Sequence, residues 1–355
     1  MNSFDGWLIS LAFLTTLVAT PLASRLFVSR RIALVVPNRQ RDVHTQPTPR
    51  LGGLVIAIIF WLAVAAVLVL DPSRLRFVSQ SVWGIDRNLF GLLLGSVILV
   101  TFGVIDDLVD LKPQWKLLGQ ISAAACVPLF GIAVQRLTNP LGGPYFELST
   151  ALDSLIAIVW LVLMMNVMNF LDGLDGLATG VGTVALLTLA SLAVAPFVLQ
   201  PALALLLLIL LAACLGFLPA NWHPAKIFLG DSGSQLIGYL LGLAAIISGG
   251  KLATAALVLS LPILDALWAV IRRLAAGRSP FMGDREHLHH RLLDLGLPQS
   301  AVVIIMMAIS GIFGLIALTS RTAGKVHAFG WAIGLMILLI IALSLAERLN
   351  RKKRV

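Results

Sequence analysis

Long apolar runs constrain this chain more than any other feature. Eleven of them, at approximately 7–29, 51–70, 89–105, 117–135, 151–169, 176–196, 198–218, 235–250, 251–271, 299–319 and 327–347, alternate with short polar segments. About 20 such residues carry a helix across a bilayer, and inside the hydrocarbon every backbone N–H and C=O must find a partner within the protein. The runs therefore predict an all-α polytopic integral membrane protein with about 11 transmembrane helices. Its charged fraction of 12% falls well below the roughly 25% of soluble domains. The glycines and prolines fit this reading, because packed bilayer helices tolerate both.

Charge placement orients the runs. The segments 30–50, 105–118, 170–175, 219–234 and 271–298, with the tail after 347, hold eighteen Lys/Arg, whereas the alternate segments hold seven. Positive residues favour the cytoplasm. The N-terminus is thus expected outside and the basic tail, 348–355, inside, with residues 1–347 forming a single membrane domain. Acidic Asp5 precedes the first run and basic residues follow it, the reverse of a secretory signal, which predicts an uncleaved span. The net charge of +9 reads as a topology signal and predicts no nucleic-acid partner. Cys126 and Cys214 lie inside apolar runs without metal or redox spacing, and are expected to be packing residues.

Polar clusters recur on the side expected to face the cytoplasm, in 30–50, 105–118, 166–180, 219–234 and 271–298. Asp106, Asp107, Asp172, Asp175, Asp231 and Asp265 lie there at or near the ends of runs. Carboxylates next to hydrocarbon are costly and mark functional or paired sites. A proton-coupled transporter places such groups nearer the midplane. These positions instead favour a site open to a water-soluble substrate.

Each cluster suggests chemistry. "GVIDDLVDLKPQWK" (103–116) has the DDxxD spacing of magnesium-binding isoprenoid enzymes in Asp106, Asp107 and Asp110. Adjacent helical residues diverge by about 100 degrees, so Asp106 and Asp107 point differently while Asp110 shares the face of Asp106. A solvated helix end is the plain alternative. Lys112 and Lys116 just beyond offer point charges for phosphate. In "NVMNFLDGLDGLATG" (166–180), Asn169 and Asp172 align on one helical face with oxygen ligands suited to magnesium, and Asp175 follows between two glycines. A capped helix break is the competing reading.

In "FLGDSGS" (228–234), Asp231 opens a helix that presents N–H groups to an anion such as phosphate, or merely caps that helix. Phe228 is placed to stack on a base or to pack. "DREHLHHRL" sets His287, His289 and His290 beside Arg285 and Arg291. Such a group suits a diphosphate, with a zinc site or a solvated loop as alternatives. Arg39, Arg41, His44 and Arg50 in the first basic segment serve either as anchors or as anion contacts.

In order, DD…K, NxxNxxDGxDGLA, FxGDxGS and DRxHLHHRL resemble the motifs of the polyprenyl-phosphate N-acetylhexosamine-1-phosphate transferases, in the WecA/TagO branch related to MraY. The resemblance runs from about residue 36 to 300. It implies transfer of a sugar 1-phosphate, most simply N-acetylglucosamine 1-phosphate, from a UDP-sugar to undecaprenyl phosphate. UMP would be released, in the first membrane step of cell-envelope glycan synthesis at the bacterial inner membrane. It further implies Mg2+, with Mn2+ as substitute, held by Asp231 with Asn169. Asp106 or Asp107 would act as base or orient the lipid phosphate. Asp172 and Asp175 would complete the nucleotide site, Phe228 would stack on uracil, and Lys116, His287, His289, His290 and Arg291 would meet diphosphate and sugar. Membrane lipids and a second copy in a homodimer are the remaining expected partners.

The first basic segment departs from the family pattern: Val35 replaces an acid, an extra residue lies between Pro37 and His44, and Asp42 replaces a lysine. Only Arg41 and His44 are carried over from it, as substrate contacts. Two rivals compete with the transferase. An intramembrane prenyltransferase would use DDLVD and DGLD to hold magnesium but leaves GDSGS and HLHH without a role; a nucleotide or lipid transporter would move ligand without releasing UMP.

Overall fold

The computed structural model describes residues 3–35, 47–137, 139, 144–248, 251–277 and 287–353. Each apolar run is helical over most of its described length. The helices are α1 (Ser3–Arg30), α2 (Gly52–Leu70), α3 (Arg87–Val109), α4 (Pro113–Leu129), α5 (Thr150–Leu171), α6 (Leu177–Val194), α7 (Pro201–Asn221), α8 (Gly230–Ile247), α9 (Leu252–Val258), α10 (Ser260–Ala275), α11 (Leu288–Asp294), α12 (Gln299–Thr319) and α13 (Thr322–Lys353). Sheet is limited, among the described residues, to three antiparallel pairs of two-residue strands in the connections. Local chemistry sets many boundaries. Asp86 accepts the N–H groups of Asn88 and Leu89 at 2.9 and 3.1 Å to start α3, Ser149 caps α5, and proline opens α4 and α7.

The helix count differs from the expected eleven. Among the described residues eight helices are long and apolar enough to cross a membrane, namely α1, α2, α3, α5, α6, α7, α12 and α13 within Ala323–Ala346. The pair α9 and α10, bent by 82° at Leu259, raises the number to nine if it forms one span. The fourth run stops early, since α4 ends after 17 residues and Gly131 turns the chain at φ +92°. In α8, Asp231, Ser232, Ser234 and Gln235 occupy the first turns and dilute its apolar length.

Outer and inner helices differ as a bilayer requires. On α1, Leu11, Leu14, Val18 and Leu22 are exposed, whereas Ala12, Thr16, Thr20 and Ser24 are buried on the opposite face. This small-residue stripe lets α1 approach α7 closely. The core helix is α8, which touches α2, α3, α5, α6 and α7 and carries the fully buried Tyr239.

At one end of the bundle the starts of α2, α4 and α8 meet the ends of α3 and α5. Backbone bonds lock this end: Phe228 donates to Pro49 at 2.8 Å, Gly52 to Phe228 at 3.0 Å and Gly53 to Leu229 at 2.7 Å. Gly53 lies directly against the backbone of Ser232 and Gly233, where any Cβ would collide, so α2 and α8 touch main chain to main chain.

Candidate active site

The N-terminus of α8 organises this end. Its first free N–H groups are taken by carboxylates from other helices: Gly230 donates to Asp172 Oδ2 at 3.1 Å, Asp231 to Asp107 Oδ1 at 2.8 Å and Ser232 to Asp107 Oδ2 at 3.2 Å. The Ser232 hydroxyl adds a bond to Asp107 Oδ2 at 2.8 Å. An anion at this helix start was expected from the sequence. The structure places the protein's own carboxylates there, and Leu229 rather than Asp231 is the N-cap of α8. Gly230 makes the turn at φ +74°, wedged between the Arg50 carbonyl and Asp107.

Asp106 and Asp231 flank one cation. Lys116 Nζ lies 2.6 Å from Asp106 Oδ2 and 3.2 Å from Asp231 Oδ2. The other Asp106 oxygen accepts the N–H of Leu111 at 2.7 Å. Asp106, Asp107 and Asp231 each bring a carboxylate oxygen within 4.8 Å of the others, and among the described residues they alone form a group that suits a metal ion. The divergence expected for helix neighbours is overcome because the start of α8 packs against both side chains. Hard oxygens so arranged fit Mg2+. Asp110 stands outside: its side chain is 86% exposed and pairs with Arg50 at 3.1 Å, so the third acid of DDxxD does not join the cluster.

Behind Asp231 runs a chain of amides. Asn169 Nδ2 donates to Asp231 Oδ1 at 3.0 Å and to Ser234 Oγ at 3.2 Å, so Asn169 holds the carboxylate through its amide nitrogen. Gln235 donates to Asp231 Oδ2 at 3.1 Å, Gln120 to Gln235 at 3.3 Å and Asn166 to Gln120 at 2.8 Å. Reading the sequence for motifs missed Gln120 and Gln235 as site residues. The signal was present, since a lone amide in an apolar run needs a polar partner.

The remaining expected residues divide. Asp172, at the end of α5, has its carboxyl held well above the usual range, first by burial and then by the negative charges of Asp231 and Asp107. Asp175 instead accepts from Ala225 N–H at 3.1 Å and pairs with His223 Nδ1 at 2.8 Å, tying the turn after α5 to the segment before α8. Phe228 is half-buried beside that segment.

The rings of His287 and His289 are parallel with centres 5.7 Å apart, and that of His290 lies 4.4 Å from His289, tilted by 49°. His289 Nε2 packs on Gly173, next to Asp172. Burial, reinforced by the two neighbouring imidazoles, holds His289 well below the usual histidine range and so neutral. Its Nε2 is buried and has no hydrogen-bond partner among the described residues. Among the described residues these histidines are not part of a group of three or more possible metal ligands. Arg291 donates to Ser344 on α13 at 3.0 Å. Arg41, His44, Arg39 and Arg285 lie outside the described residues.

The fold and the site define a multi-pass membrane protein with an acid cluster gathered at one end of its helices. Residues 89–249 match the family model described as glycosyl transferase family 4. The chain is 36% identical over 331 residues to a decaprenyl-phosphate N-acetylglucosaminephosphotransferase of Mycobacterium tuberculosis, covering 86% of this chain and 80% of that one. It is 32% identical over 334 residues to a phospho-N-acetylmuramoyl-pentapeptide-transferase of Desulforudis audaxviator, covering 86% and 96%. A Mycolicibacterium smegmatis decaprenyl-phosphate N-acetylglucosaminephosphotransferase is 34% identical over 347 residues, covering 90% and 83%. The chain belongs to the polyprenyl-phosphate N-acetylhexosamine-1-phosphate transferase family, and is a membrane transferase.

Proposed function

We propose that this protein transfers N-acetylglucosamine 1-phosphate from UDP-N-acetylglucosamine to undecaprenyl phosphate at the cytoplasmic face of the bacterial inner membrane. A lipid-phosphate oxygen bonds to the β-phosphorus of the donor as that phosphorus parts from the bridging oxygen, and UMP leaves with that oxygen. The observation that carries this reading is the convergence of Asp106, Asp107 and Asp231 within 4.8 Å at the end of the bundle. Such a transfer needs charge neutralisation and in-line placement more than covalent chemistry.

Asp106 and Asp231 are the residues that would hold Mg2+, and Mn2+ in its place. When bound, the ion neutralises diphosphate charge. Asp107 keeps its two oxygens on α8 and fixes the distance between the other two acids. Asp106, with one oxygen on Leu111, orients the lipid phosphate. Lys116, set between Asp106 and Asp231, would supply positive charge to the donor phosphate. The histidines beside Gly173 close the sugar side. The exposed pairing of Asp110 disfavours the DDxxD prenyltransferase.

Purified protein given undecaprenyl phosphate, Mg2+ and a panel of UDP-sugars is expected to release UMP with UDP-N-acetylglucosamine. Folded protein that releases no UMP from any of them rules the proposal out.

A further inference from the structure

We infer that Asp265 is a positioning residue for the transfer reaction, acting through His287; this rests on the function proposed above. The two are far apart in the sequence motifs, since Asp265 lies on α10 inside an apolar run and His287 immediately precedes α11. Their side chains nevertheless meet in the interior, with Asp265 Oδ2 2.9 Å from His287 Nδ1. The other oxygen of Asp265 accepts the backbone N–H of Leu288 at 3.0 Å. One carboxylate therefore fixes both the ring of His287 and the first turn of the helix that carries His289 and His290.

The chemistry follows from the two ring nitrogens. A carboxylate that accepts from Nδ1 keeps the proton there and leaves Nε2 as the acceptor nitrogen of the ring. The ring lies near the candidate active site. The His287 ring lies 5.7 Å from Phe170, the neighbour of Asn169, and is parallel within 5° to His289. His289 in turn packs on Gly173, which follows Asp172, the acceptor of the Gly230 N–H beside Asp231. Asp265 is 7% exposed and His287 6%, so their bond is shielded from water and its direction is held by packing. An aspartate inside a membrane helix is costly unless it serves such a partner.

The test is a double-mutant cycle read by UMP release, with a spectroscopic arm. Asp265→Asn is expected to lower turnover roughly tenfold to a hundredfold, the loss seen when the outer partner of a working histidine is removed. His287→Ala is expected to lower it at least as much, and Asp265→Asn combined with His287→Ala to be no worse than His287→Ala alone. In 15N-histidine-labelled protein, the His287 Nδ1 signal is expected in the protonated range and to change in Asp265→Asn, a shift that a mere helix anchor would not produce. Wild-type turnover in Asp265→Asn, losses that multiply in the double variant, or an unchanged Nδ1 signal would each overturn the inference. Wild-type turnover in His287→Ala would overturn it too, while leaving the proposed reaction intact. Absence of UMP from the unsubstituted protein is the separate outcome that defeats the reaction itself.

Discussion

Asp107 accepts the backbone N–H of Asp231 at 2.8 Å, across 124 residues of sequence. This bond joins the end of α3 to the start of α8 and so sets Asp106, next in the chain, against Asp231. Of the two adjacent acids, Asp107 is bound to the start of α8 while Asp106 faces Lys116.

That division is measurable. Asp107→Ala strips the acceptor from the N–H groups of Asp231 and Ser232 and from the Ser232 hydroxyl. It is expected to destabilise the protein by roughly 2–4 kcal/mol, seen as a lower melting temperature in detergent. Asp106→Asn, whose backbone contact needs only one oxygen, is expected to hold its melting temperature far better while losing turnover. Equal thermal losses in both variants would contradict the assignment.

Asp231→Asn should leave the α8 backbone bonds in place, because those come from its N–H and not its side chain. Turnover is expected to fall at least about a hundredfold, as when a group facing transition-state charge is removed. Activity near wild type would take Asp231 out of the centre.

Metal binding gives a readout independent of turnover. A ligand at a hundred times its Kd stabilises the folded state by about 2.7 kcal/mol, so Mg2+ should raise the melting temperature of the unsubstituted protein and chelation should reverse the rise. Asp231→Asn is expected to abolish the Mg2+ response. A response unchanged by that substitution would place the ion elsewhere.

Lys116 bridges Asp106 and Asp231. Lys116→Met leaves the two acids facing each other without a counter-charge, and turnover is expected to drop on the order of a hundredfold. Lys116→Arg should restore little, since a planar fork cannot reproduce a compact ammonium set between two acids. Full rescue by arginine in the same assay would show that charge alone suffices.

Gly230 holds φ +74° with the Arg50 carbonyl and Asp107 where a Cβ would stand. Gly230→Ala is expected to cost about 1–3 kcal/mol and to displace Asp231, lowering melting temperature and turnover together. Loss of only one of the two would separate the turn from the site.

The sequence by itself determined the membrane class, the positions of the helices, the family, and the polar clusters that supply the site, because long apolar runs and fixed motif spacings are local properties of the chain. The number of spans was less legible: among the described residues eight helices, or nine with the bent pair α9 and α10, are long and apolar enough to cross, while α4 is 17 residues long and α8 begins polar. Which acids share a pocket was decided only by tertiary structure. Asp110 looked equal to its neighbours yet turned out to Arg50, Asp175 went to His223, and Arg291 to Ser344. The amides Gln120 and Gln235 carried no motif, yet Gln235 is buried against Asp231 and Gln120 against Gln235, while Asp265, marked only as a carboxylate near a run end, is buried against His287. The reason is physical. Spacing along a helix fixes the direction of a side chain, but the partner that satisfies a buried charge is supplied by whichever helix packs against it, and that is settled when the bundle closes.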